Sequence, residues 1–506
     1  MASKTTLWSL SLIAILGTTS SAVAQAPLSA IDWLKQTPTV SLDAPFVDEE
    51  PVNQGVTTPE VTVSPLENVG RDAVGLLPST LTGLPSTLWQ ESQAQTLADM
   101  VTDLRVENSP AMQALLYTLL LAEANPPQDA GQADALLLAR VDKLVSLGAI
   151  EQANALLERA GPDTETLFQR WFDVTLLLGE EQRACEALNP APHLSPSYAA
   201  RVFCLARSGD WNAAALTLET ANLLGLLTLE EDGLLIRFLD AELFEGEPLL
   251  VAQSDPTPLT FRLYEAIGEP LPTTSLPKPF AHADLRSTSG WKAQLEAAER
   301  LASVGALPEN RLLGIYTDRQ PAASGMIWDR VDALQAFDAA ITSGDATQIG
   351  DTLSPAWSAA QQARVEVPFA RLYAAALSEQ KLRGVAQALS REIQLLSPNF
   401  EAAVQSGPRD FLAGVASGMP PRRGQTPKEQ AVADAFNSAG VPQSLSHKLA
   451  RGQLGEVILA AIELYEQGVA GDLRALTNAL ATFRALGLED TARQAALQAL
   501  LLDRKT

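Results

Sequence analysis

Apolar residues recur along most of this chain at the spacing of one helix face. Leu137, Val141, Leu144 and Val145 fall at i, i+4, i+7 and i+8, and Val457, Ala461, Leu464 and Tyr465 repeat the arrangement near the other end. Sustained period-two alternation is absent. Ala and Leu are abundant and β-branched runs are rare, so intrinsic propensity agrees with the periodicity. The pattern predicts an all-α protein.

The punctuation between these stretches also recurs. Ser208-Gly209-Asp210, Ser343-Gly344-Asp345 and Ala470-Gly471-Asp472 each put a glycine where a helix can end and an aspartate where the next can be capped. Leu147-Gly148-Ala149, Val304-Gly305-Ala306 and Leu486-Gly487-Leu488 form a second set. The spacing between copies is irregular, so the expected architecture is degenerate helical hairpins laid side by side, not an array of one fixed period. Glu247 to Pro279 contains seven prolines. It is expected to act as a crossover, 248–289, between an N-terminal helical unit, 75–247, and a C-terminal one, 290–506.

The first residues break the helical pattern in a different way. Lys4, the apolar run Leu7 to Leu16 and the small-x-small sequence Ala22-Val23-Ala24 have the form of an export signal cut after Ala24, so 1–24 is read as a signal peptide. The apolar run is too short to span hydrocarbon, and no membrane span is expected later. Gln25, not cysteine, follows the cut, so no lipid anchor is expected and the product is placed in the periplasm or outside the cell. Residues 25–35 hold the apolar cluster Leu28, Ile31, Trp33 and Leu34, the candidate partner-binding residues. From Gln36 to Gly70 there is no Lys or Arg, six acidic residues carry negative charge, and five prolines interrupt any helix. Residues 36–74 are therefore expected to form a disordered acidic tether. Its thirty-five residues to Gly70 give the apolar cluster a typical reach of about 30–35 Å. Beyond it, Leu77-Pro78-Ser79-Thr80-Leu81 and Leu84-Pro85-Ser86-Thr87-Leu88 are near copies, expected to dock onto the helical body ahead of Trp89.

Charge narrows the partners. The 506 residues carry 36 Lys and Arg against 60 Asp and Glu, a formal charge of -24, which disfavours nucleic acid and anionic lipid. Cys185 and Cys204, the two cysteines, lie in helical patterns flanking the Pro-rich turn Asn189 to Pro196. In an oxidising compartment they are expected to pair and pin that hairpin, a loop closure worth roughly 3 kcal/mol.

Four stretches, Pro27 to Leu34 (PLSAIDWL), Gly75 to Trp89, Ala184 to Trp211 and Gly305 to Arg330, together resemble a group of uncharacterised exported proteins of alphaproteobacteria. Some of those relatives carry an antifreeze glycopeptide polyprotein label; this chain contains no Ala-Ala-Thr tripeptide to support it. The resemblance implies no catalytic residue. The hairpins are also similar to tetratricopeptide- and Sel1-type repeats, which implies an α-solenoid that binds other proteins.

Motifs for chemistry are sparse. His193, His282 and His447 lie in or beside loop-like stretches, none paired at metal-ligand spacing, and are read as solvated. No zinc-protease, Walker-type, dinucleotide or EF-hand motif occurs, so no cofactor or metal is expected. Ser275-Leu276-Pro277-Lys278 matches S-x-x-K, but its prolines oppose the helical turn that chemistry needs. Glu91-Ser92 is similar to the catalytic pair of lytic transglycosylases, without the Gly-Leu-Met-Gln segment that should follow. Trp171, Trp211, Trp291, Trp328 and Trp357 could stack on sugars, but within helical patterns they are read as core. Arg422, Arg423 and Lys428 form the densest basic spot, read as an exposed loop. The expected function is that of an exported, non-enzymatic scaffold for a cell-envelope protein partner. The alternative is binding or processing of envelope glycan such as peptidoglycan. A third expectation is that residues 27–34 fold back as a latch. The oligomeric state does not follow from the sequence.

Overall fold

A buried arginine fastens residues 72–74 to the helices that follow. In the computed structural model, which describes residues 70–502 apart from 132, 196, 252, 253 and 406, Arg140 is fully buried inside the helix Ala135–Ser146. Its guanidinium donates to the carbonyls of Leu120 (2.7 Å), Ala122 (3.0 Å), Asp72 (3.2 Å) and Val74 (2.8 Å). Two of these belong to the end of the helix Pro110–Leu121, where carbonyls lack intrahelical partners. The other two belong to the turn Arg71–Ala73 and to Val74, which follows it. Asp72 is itself buried and accepts from the Leu137 amide at 2.7 Å. Residues 70–74, expected as the end of the acidic tether, are thus ordered: their carbonyls satisfy a guanidinium, and composition alone does not reveal such a partner. The expected signal peptide 1–24, the apolar motif with Leu28, Ile31, Trp33 and Leu34, and the tether as far as residue 69 lie outside the described residues.

Among the described residues the protein comprises twenty-five α-helices and no β-strand, with one isolated parallel bridge between Leu77 and Ala122. No described helix is long and apolar enough to cross a membrane. Consecutive helices pack on each other, as Tyr198–Arg207 does on Trp211–Leu223, Ile327–Ser343 on Ala346–Ala363, and Leu454–Val469 on Leu473–Ala485. The anticipated caps are present: Asp210 accepts from the Ala213 amide, Asp345 from Thr347 and Gln348, and Asp472 from Arg474 and Ala475. Gly209 and Gly344 stand at φ 85° and 72°, a left-handed backbone that side chains disfavour.

The helices at the two ends of the described chain also meet. The LPSTL copies lead to Leu88 and Trp89, both buried, and the Gly455 amide donates to Leu88 O at 3.0 Å. A Cβ on Gly455 would lie 2.4 Å from Trp89 Cε3, so the glycine admits the indole. The Ala111 amide donates to Gln498 Oε1 at 2.7 Å, tying Pro110–Leu121 to Glu489–Leu501. Links also join the stretches 75–247 and 290–506: Tyr117 Oη donates to Val304 O at 2.9 Å and Arg311 pairs with Glu151. The Pro-rich stretch 248–289 contains the helices Pro258–Ala266 and Ala281–Asp284 and buries Phe261, Leu263, Tyr264 and Phe280. Its prolines stand in helix first turns and extended segments, positions that require no donated N–H.

Candidate functional site

The cysteines lie on the helices Glu181–Leu188 and Tyr198–Arg207, with a 3-10 turn Pro192–Leu194 between them. They are joined as a disulfide, Cα to Cα 4.9 Å, and both are buried. The buried carboxylate of Glu181 accepts from Arg262 at 3.0 Å and pairs with Arg207 at 3.3 Å, fastening this hairpin to the helix Pro258–Ala266. A ring sequence continues below it: Phe172 to Phe203 (6.4 Å between centroids), Phe203 to Phe238 (5.5 Å) and Phe238 to Trp211 (6.4 Å). The hairpin is therefore a stiff floor.

On that floor the helix Trp211–Leu223 lies with apolar residues on two faces. Ala214, Leu218 and Ala221, at i, i+4 and i+7, are buried. The opposite stripe of Asn212, Leu216, Glu219 and Leu223 faces solvent, with Leu216 67% and Leu223 89% exposed. A groove of about 390 Å³ opens beside it, lined by Leu188, Tyr198, Leu205, Leu216, Thr217 and Thr220 among others. Arg201 also lines the groove, but its guanidinium donates to Pro192 O and Ser195 O and lies over the Tyr198 ring at 4.8 Å. Beyond the helix the exposed apolar residues continue with Leu224, Leu229 (95%), Leu243, Leu249 and Val251 (93%). Residues 211–251 contain eight Asp or Glu and one basic residue, Arg237. Among the described ion pairs none involves these eight carboxylates, and Arg237 pairs instead with Glu269 at 3.3 Å.

The other sequence candidates are dispersed. His282, expected as solvated, is buried in Ala281–Asp284, where Nε2 lies 2.6 Å from Gly148 O and burial lowers its pKa. His447 is exposed, on the helix Gln443–Ala450 and not a loop, and His193 is exposed on the 3-10 turn. Among the described residues no group of three or more His, Cys, Asp or Glu could hold a metal ion. Ser92 is buried whereas Glu91 is exposed, and Leu276 and Pro277 are extended between Ser275 and Lys278. Trp171, Trp291 and Trp357 are core; Trp328 is half-buried and 5.2 Å from the Trp291 ring; Trp211 is half exposed. Arg422 and Arg423 are exposed, and Lys428 donates to Ala499 O at 3.0 Å.

Two further clefts of about 450 Å³ occur. One is lined by Ser378, Gln394, Asn399, Gln405, Asp490 and Gln494 among others. The other collects Asp99, Asp103, Glu463 and Glu466; burial, reinforced by nearby Glu107, pushes the Glu466 carboxyl up to about 7. The apolar face at 211–251 was not anticipated from the sequence. The available signal was the run Leu223, Leu224, Leu226, Leu227 and Leu229, too dense for the one-faced helix it adjoins. No family model, curated protein or solved structure matches the chain, so no activity is carried over from a relative.

Proposed function

We propose that this is an exported protein-interaction scaffold, sent to the periplasm or beyond by residues 1–24, in which helical hairpins of tetratricopeptide or Sel1 type form a solenoid body. In this account an apolar motif at Leu28, Ile31, Trp33 and Leu34 rides on a disordered acidic tether, and the body itself does no chemistry. The observation that carries the proposal is the solvent-facing apolar surface of residues 211–251. Exposed leucines gathered in one stretch and interspersed with acidic residues are the kind of surface that another protein covers.

The test is cross-linking with mass spectrometry in cells producing either the natural protein or Leu216→Asp/Leu223→Asp. Both positions are exposed, so folding is expected to survive, with circular dichroism as the control. Loss of specific cross-links through 211–251 supports the proposal; an unchanged set defeats it. Binding of envelope glycan is a second possibility, favoured by the amide-rich cleft at Gln394, Asn399, Gln405 and Gln494. Sedimentation with purified peptidoglycan, comparing the natural protein with Gln394→Leu/Gln494→Leu, tests it: equal sedimentation removes that cleft from consideration.

A further inference from the structure

We infer that the groove beside the disulfide hairpin and the exposed Leu216 and Leu223 stripe that borders it dock a cationic amphipathic segment of a partner protein, with Leu, Ile or Val on one side and Lys or Arg on the other. This deepens the interaction reading above and rests on it.

The occupant follows from the charge around the apolar side chains. Leu216 and Leu223 flank Glu219 on the same solvent stripe, and Leu229 is followed at once by Glu230, Glu231 and Asp232. Leu243, Leu249 and Val251 are interspersed with Glu242, Glu245 and Glu247. Some of these carboxylates have local hydrogen-bond partners: Glu231 caps Thr228, Glu230 accepts from Tyr264 Oη at 3.2 Å, and Asp232 accepts from Asn222 at 3.0 Å. None of those partners carries charge. An occupant that brings positive charge together with an apolar stripe complements eight acids and one base set around exposed leucines.

A second copy of this chain fits poorly, because each acidic rim would face another in a protein already at -24. A nonpolar small molecule would fill the groove and leave the leucines beyond it wet. The groove's one guanidinium, Arg201, is held by backbone carbonyls and the Tyr198 ring, so it does not oppose an incoming cation as a free charge would. An amphipathic helix laid along Leu216 and Leu223 meets both requirements through anchors at i, i+3 or i+4, and i+7.

The test uses the full-length protein and three synthetic eighteen-residue amphipathic peptides with identical leucine stripes and polar faces of Lys, Glu or Ser. Fluorescence anisotropy follows binding of each. The Lys peptide is expected to bind at least tenfold more tightly than the Ser peptide, and the Glu peptide not to bind. Leu216→Asp/Leu223→Asp then separates docking from general attraction. It adds two negative charges, so attraction alone makes the Lys peptide bind more tightly, whereas docking through the leucines weakens it at least tenfold. Tighter or equal binding by the variant, or equal binding of all three peptides, overturns the inference. Sedimentation that shows a dimer of the natural protein dissolved by the same substitutions also overturns it, in favour of a second copy. If the peptides fail while cellular cross-links through 211–251 still depend on Leu216 and Leu223, the scaffold reading stands and only the partner chemistry is wrong; if the cross-links are unchanged as well, both fall.

Discussion

Replacing Arg140 with methionine removes a buried donor that holds four carbonyls on two chain segments. Hydrogen bonds to a charged group contribute about 1.5–3 kcal/mol each, so four give a gross loss on the order of 10 kcal/mol. Against this stands the desolvation of the guanidinium, several kcal/mol, which the substitution relieves. Burial already lowers the Arg140 pKa to about 10, a sign that the cost is present. The net destabilisation is expected near the 3–5 kcal/mol found when one partner of a buried charged network is removed. The loss has a location. Residues 71–77 are held by the guanidinium and by the Leu76 and Leu77 amides, which donate to Leu121 O at 2.8 and 2.9 Å. Urea denaturation measures the magnitude and hydrogen exchange by mass spectrometry the place: peptides covering 71–78 and 120–124 should lose protection first. Arg140→Lys should recover less than half, because one ammonium cannot reach carbonyls on both segments. A shift below about 1 kcal/mol with unchanged exchange refutes the assignment of Arg140 as the group that fastens residues 71–77 to the helical body.

The contact between first and last helices predicts that Gly455→Ala, forced against Trp89, destabilises by about 2 kcal/mol or more; a thermal melt equal to the natural protein's contradicts it. Replacing both Cys185 and Cys204 with alanine releases a loop of sequence separation 19 and should cost about 3 kcal/mol locally, seen as faster proteolysis between residues 188 and 198. Unchanged cleavage in that stretch counts against the bond as the hairpin's fastener. Glu466 is raised from the ordinary 4.5 to about 7 by burial, so the folded protein binds more protons between those values. The stability tied to its protonation is complete below about 4.5 and lost as pH rises through 7. Glu466→Gln should flatten that part of the stability curve and be more stable than the natural protein at pH 8; an identical pH profile rejects the effect.

The sequence was informative wherever local chemistry decides the outcome. Helical periodicity gave the all-helical class, and Asp210, Asp345 and Asp472 gave helix starts, because a cap is settled by residues three or four apart. Cys185 and Cys204 were legible for the same reason: each sits on a short helix beside one turn. Contacts between distant stretches were not legible. Asp72 reads as one more acid of a tether until Arg140, far along the chain, takes its carbonyl. His282 reads as a loop residue until Gly148 approaches its ring. The exposed leucines of 211–251 were not legible either, because periodicity identifies a buried stripe without saying whether apolar residues on the other side have a neighbour. Leu28, Ile31, Trp33 and Leu34, the partner-binding residues drawn from the sequence, lie outside the described residues. The surface argued above is a separate candidate.

Another protein is expected to cover residues 211–251 in the cell. Radical footprinting of leucine side chains, performed in intact cells and on the purified protein, measures that cover directly. Leu216, Leu223 and Leu229 should be labelled strongly when purified and several-fold less in cells, while Val385 and Met419, exposed on other elements, label alike in both. Equal labelling of the three leucines in the two settings would mean that nothing covers this surface.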